Sequence, residues 1–226
     1  MKSLFLAATL VVTPLHAAVL SNYTFTGNSL AATTPTAGVT AGSVTNGGGL
    51  LLKQSGFNLG GGSSNPALGW SSGQLIPGSV SEALTQNQFF TFTLTPNAGQ
   101  RIDLSSIAFY GNLGANTNVA RSFELQASTN GGDFATVGSG TLVLNTTGPS
   151  ALFDITLTSY TAITSQTTFR YVPYDVAYDG LSWNDGNWIR FDDITVNGTV
   201  SPIPEAGGMA LMAVGLVGLA SRRCRA

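Results

Sequence analysis

Histidine and cysteine each occur once in the 226 residues, as His16 and Cys224, so the stretch from residue 18 to residue 200 contains neither. That excludes from it a Ser-His-Asp or Cys-His nucleophilic site, and any zinc site built on imidazole or thiolate. Disulfides within the stretch are excluded as well. Charge is also scarce, at 9% of all residues. Between residues 18 and 200 only Lys53, Arg101, Arg121, Arg170 and Arg190 are basic, against ten acids, for a net charge of −5. So few cations make no basic patch for nucleic acid or anionic lipid. Solubility therefore falls to Thr, Ser, Asn and Gln, a surface suited to an extracellular matrix. About 180 residues suffice for one hydrophobic core without covalent help.

What is present alternates with period two. In Gln88-Phe-Phe-Thr-Phe-Thr-Leu-Thr-Pro, Phe90, Phe92 and Leu94 share one face while Thr91, Thr93 and Thr95 share the other. Arg121-Ser-Phe-Glu-Leu-Gln-Ala puts Phe123, Leu125 and Ala127 inward, and residues 152–158 do the same with Phe153, Ile155 and Leu157. Further strands are expected near 19–26, 49–54, 101–110, 133–144, 166–172 and 187–200. Pro96-Asn-Ala-Gly, Asn130-Gly-Gly-Asp and Asn197-Gly-Thr carry turn chemistry between them. About ten short strands at this spacing predict an all-β, two-sheet sandwich, because an open sheet would leave one apolar face wet. Ser79-Val-Ser-Glu82 has capping-box spacing, so residues 80–86 form either a turn or two of helix or an irregular connection. The Gly-rich stretch 31–78 reads as loops and edge strands of the same domain, since it carries Trp70, Leu75 and Ile76.

The two ends read differently. Lys2, the apolar run 4–15 and the small residues Ala17 and Ala18 have the layout of an export signal over residues 1–17, removed by signal peptidase. At the other end Ser201-Pro-Ile-Pro-Glu leads into twelve uncharged residues, 209–220, and then Arg222, Arg223 and Arg225. The run is short against the roughly 20 residues a bilayer core needs. The Arg cluster would stay cytoplasmic, which leaves everything before Pro204 outside.

This tail resembles the PEP-CTERM sorting signal of exopolysaccharide-producing Gram-negative bacteria. Pro204 and Glu205 match the first two motif residues, Ala206 stands where the second Pro is expected, and the transmembrane helix and the Arg cluster follow. A plain C-terminal membrane anchor would show the same helix and charges. The middle of the chain resembles the jelly-roll ectodomains found upstream of such tails, in the ordered series at 90–99, 102–109, 122–128, 131–134, 168–171 and 190–198. The resemblance implies an exosortase substrate that anchors transiently in the inner membrane and is then sorted to the cell surface or extracellular matrix. It implies three parts: residues 1–17, the jelly-roll-like sandwich at 18–200, and the tail at 201–226.

Chemistry is concentrated in residues 171–193, which hold five of the ten acids beside Tyr174, Tyr178, Trp183 and Trp188. Carboxylates, Asn and backbone carbonyls are the hard oxygen ligands of Ca²⁺, and Asp192 and Asp193 are the candidate metal ligands. Ile189 and Phe191 set one alternation phase while Ile194 and Val196 set the other, so a bulge is expected at the two aspartates. The plain alternative is solvated acids, one pairing Arg170 or Arg190. Tyr174, Tyr178 and Trp183 are the loop aromatics available to stack on sugar rings. Trp188 and Tyr171 are expected in the core. Glycoside hydrolysis would need two carboxylates at a fixed separation in a cleft, and nothing in the sequence selects such a pair. The reading is an exported, non-enzymatic surface protein associated with exopolysaccharide. Its alternative is a carbohydrate-binding module using the Tyr/Trp/Asp-rich loop, and a polysaccharide-degrading enzyme ranks below both.

Overall fold

The computed structural model describes residues 17–26, 29–33, 35–49, 52–55, 67–70, 75–113, 120–142, 151–175 and 189–204. Among these, twelve strands and one helix follow in the order β1(Ala18–Tyr23), β2(Val39–Ala41), β3(Thr45–Asn46), β4(Leu52–Ser55), β5(Ala67–Trp70), α1(Val80–Thr85), β6(Phe90–Pro96), β7(Gln100–Leu113), β8(Arg121–Thr129), β9(Ala135–Leu142), β10(Ala151–Thr156), β11(Thr167–Tyr174) and β12(Ile189–Pro202). They form two six-stranded sheets with antiparallel pairing throughout. Sheet A has the order β10-β7-β12-β5-β4 with β1 also on β12, and sheet B the order β2-β6-β11-β8-β9 with β3 also on β6. The chain from β6 onward changes sheet at every connection except the β8–β9 hairpin. That alternation stacks the two sheets on one core.

The strands form where period two is strongest. Phe90, Phe92 and Leu94 are buried, as are Phe123, Leu125, Ala127 and Leu157, with Phe153 and Ile155 packed against the same cluster. Between the sheets, Tyr171 lies 4.3 Å from Phe191, 4.9 Å from Phe123 and 5.0 Å from Phe90, ring centre to ring centre. Phe109 packs on Phe123, Phe153 and Phe191. Edge-to-face and offset contacts of this kind add to the area they bury. Burial pushes the Tyr171 phenol well above its ordinary range.

Two turn expectations hold and one changes. Asn130 and Gly131 both adopt positive φ, 57° and 69°, and Gly132 N–H bonds Thr129 O at 3.1 Å, the geometry of a primed hairpin turn. Gly99, at φ 75°, ends the β6–β7 turn closed by Gln100 N–H on Asn97 O. Asn197-Gly198, expected as a turn, instead lies inside β12 at a register shift against β7. A Cβ at Gly198 would collide with the Asp103 carbonyl, so the glycine permits close strand approach there.

The 80–86 segment resolves as helix. Ser79 Oγ accepts the Glu82 N–H at 3.2 Å, while the Glu82 carboxylate reaches one residue further back, accepting the Gly78 N–H at 2.8 Å. Helix α1 packs on β11 on the outer side of sheet B, where Ala83 and Val172 are fully buried outside the central cluster. In the 31–78 region, β2 and β3 edge sheet B and β4 and β5 edge sheet A. The Phe57-Asn-Leu segment and Trp188 lie outside the described residues.

Candidate functional site

Register assigns the strand ends to two poles. At one, β7 ends at Leu113 opposite Ile189, β8 begins at Arg121 opposite Leu142, β10 begins at Ala151 opposite Gly111, and β11 ends at Tyr174 opposite Ser122. At the other lie the 97–99 and 130–132 turns, the start of β1 against Gly198, and the end of β12 against Gln100. Asp175 and Ile189 thus both lie at the first pole. The tail leaves from the second, where Ile203 N–H bonds Gly99 O at 2.9 Å.

The candidate metal ligands sit on β12. A register shift between Asp192 and Thr195 against β7 marks the expected bulge, and Asp193 takes φ 51°. Asp192 Oδ1 accepts the Asp193 N–H at 3.0 Å, which ties the first carboxylate to the bulge backbone. Asp192 faces the outer side of sheet A, opposite Tyr110, yet is fully buried; Arg190 and Asn112 beside it are nearly so. Asp193 is partly exposed, and desolvation holds its carboxyl above the ordinary carboxylate value. Thr195 Oγ1 closes the bulge with a 3.3 Å bond to Asp193 O. Among the described residues no group of three or more His, Cys, Asp or Glu gathers here or elsewhere. Two carboxylates and neighbouring carbonyls are what the described bulge offers a cation.

Tyr174, the one described candidate sugar ligand, is not brought to the aspartates. Tyr174 shares the outward phase of Arg170 and Val172 on sheet B, so it and Asp192 lie on opposite outer faces of the sandwich. Tyr178 and Trp183 lie outside the described residues, as do Glu205, Arg222, Arg223 and Arg225 of the sorting motif. Pro204 is the last described residue, two beyond the end of β12. Among the described residues no helix is long and apolar enough to cross a membrane.

Among the described residues, one of the five acids pairs with Arg121. Asp175 Oδ2 accepts from Arg121 Nη1 at 2.8 Å, both side chains being 1% exposed. A signal for this existed: Arg121 is in phase with Phe123 and Leu125, and Asp175 with Phe169 and Tyr171, so alternation sends both charges inward. Arg170 turns outward and donates through Nε and Nη2 to Gln126 Oε1 at 2.9 and 2.5 Å.

No family model matches the chain, and no curated protein does. Among solved structures it is similar to two xylan-binding domains of Paenibacillus barcinonensis Xyn10C: CBM22-1 (TM-score 0.47, 9% identity, covering 82% of this chain and 97% of that one) and CBM22-2 (0.43, 16%, 80% and 99%). A CBM61 in complex with β-1,4-galactotriose follows at 0.36 and 12%, covering 68% of this chain and 85% of that one. At these scores and identities the likenesses assign neither family nor ligand.

Proposed function

We propose that this chain is an exported, non-enzymatic, carbohydrate-associating surface module. Residues 1–17 direct export, the jelly-roll-like sandwich holds polysaccharide, and residues 201–226 form a sorting tail read by an exosortase during transient passage through the inner membrane. The observation that supports this reading is where β12 ends. β12 delivers the chain to Pro204 at the pole remote from Tyr174 and Ile189, and Ile203 is hydrogen-bonded to the Gly99 turn. A tail held in a membrane or by a sorting enzyme therefore leaves the far pole and the exposed parts of the outer sheet faces open to the matrix.

Direct glycan contact is favoured over an inert scaffold by the chemistry of those faces. The outward residues of β6 are Thr91, Thr93 and Thr95, and the chain is too poor in cations for a polyanion-dominated surface. The test combines intact-mass measurement on native surface material with affinity electrophoresis in the host's own exopolysaccharide. The reading expects a chain lacking residues 1–17 and the basic tail, recovered outside the inner membrane and retarded by polysaccharide. A chain still ending in Arg225-Ala226 that sediments with inner membrane and migrates unretarded would refute it.

A further inference from the structure

The outer face of sheet B carries a strip of flat groups that packing of the core does not require. Arg170 on β11 lies with its guanidinium carbon 3.8 Å from the centre of the Phe134 ring, which follows the β8–β9 turn, and 5.4 Å from that of Phe89, which precedes β6. The guanidinium is fixed in its own plane by Gln126 Oε1. Gln126 Nε2 in turn donates to Glu124 Oε1 at 2.6 Å, and Thr136 Oγ1 donates to the same oxygen at 2.6 Å. The relay crosses β9, β8 and β11 and holds ring, guanidinium, amide and carboxylate side by side. Phe89, Phe134, Arg170 and Glu124 are all partly exposed. Burial lowers the Arg170 pKa, with Glu124 opposing that shift.

We infer that this strip is the surface on which the sandwich takes a neutral polysaccharide chain, an inference that rests on the carbohydrate reading above and names its site. A pyranose offers an apolar face and a rim of hydroxyls. Aromatic and guanidinium planes fit the face, and a pre-oriented amide and carboxylate fit the rim. Charge selects the class: one cation and one anion, Arg170 and Glu124, leave the strip without net charge, so neither nucleic acid nor a polyuronate gains a dominant attraction. A protein partner would want an apolar anchor, and of the exposed large apolar side chains among the described residues Val19, Leu152 and Ile203 belong to or follow strands of sheet A. Helix α1 bounds the strip on the side of Val172.

The test is affinity electrophoresis of the mature protein in neutral polysaccharides (xylan, mixed-linkage β-glucan), in alginate, and in the host's exopolysaccharide, with melting temperature recorded for every variant. Phe134→Leu keeps an apolar group over Arg170 and removes the aromatic face. Thr136→Arg, at an exposed position, lays a long side chain over Glu124 and Gln126 without touching the core. Each should weaken retardation about three- to tenfold, the scale of one stacking contact, with melting unchanged. Asp154→Ala, on the outer face of sheet A, should leave retardation as in the wild type. Full retardation in both strip variants with loss in Trp183→Ala would move the ligand to residues 176–188, overturning this inference while leaving the proposed function. Stronger retardation by alginate than by any neutral glycan would overturn the charge assignment. Absence of retardation of the wild type in every polysaccharide would overturn both.

Discussion

Arg121 and Asp175 face each other across β8 and β11 one step beyond the last ladder pair, Tyr174 with Ser122, and join through a 2.8 Å bond with both side chains out of solvent. The Asp175 N–H also bonds Pro77 O at 2.8 Å, so the end of β11 is tied to the segment that leads into α1. A buried charge pair placed where the core meets a connecting segment fixes how that segment enters the fold. Its net stabilisation is modest because desolvation offsets most of the attraction, but loss of one partner strands the other.

Asp175→Ala should therefore destabilise the domain by about 3–5 kcal/mol, and Arg121→Met by a similar amount. The double replacement Arg121→Met with Asp175→Leu should recover most of the loss. Urea denaturation of the four proteins measures this, and additive losses in the double variant would show that the pair is not a coupled unit.

Closure between the sheet edges depends on absent side chains. A Cβ at Gly140 on β9 would lie 2.6 Å from Phe123 Cε1 and 2.8 Å from Phe153 Cε1. Gly140→Ala should cost about 1–3 kcal/mol through overpacking, visible as a lower denaturant midpoint at unchanged slope. Wild-type stability in this variant would mean that both rings shift without strain.

Asp193 gives stability a pH dependence with a definite sign. Its carboxyl is harder to ionise in the folded protein than at the ordinary value of 3.8. The native state then binds more protons than the unfolded chain. The contribution is full below the unfolded-state value and is lost as pH rises through the raised folded value. Asp193→Asn, which tolerates the positive φ, should gain melting temperature relative to wild type as pH rises from 3.8 toward neutrality in chelator. A constant offset between the two proteins across that range would contradict the assignment.

The same aspartates test for Ca²⁺. An ion held by Asp192 and Asp193 only in the native state would raise melting temperature by mass action, with an increment that grows as the logarithm of free Ca²⁺. We expect the increment in wild type and its loss in Asp193→Asn. Equal melting of the wild type in excess Ca²⁺ and in chelator would leave the pair as residues of the bulge alone.

Alternation by itself determined the all-β class, the inward residues of β6, β8 and β10, and the bulge at Asp192-Asp193, because a period of two assigns every side chain to a face from its position alone. It also sent Arg121 and Asp175 inward without saying to whom, and it did not overrule the turn chemistry of Asn197-Gly198, which lies inside β12. Those matters depend on which strands are neighbours, and neighbours in a sandwich are set by contacts far apart in sequence. Only tertiary structure joined Arg121 to Asp175, 54 positions away, laid Phe134 on Arg170, and put Tyr174 and Asp192 on opposite faces. Residues 31–78 show as loops and edge strands from composition but not strand by strand, since two- to four-residue strands are too short to display a period and are fixed as edges by the longer strands they join.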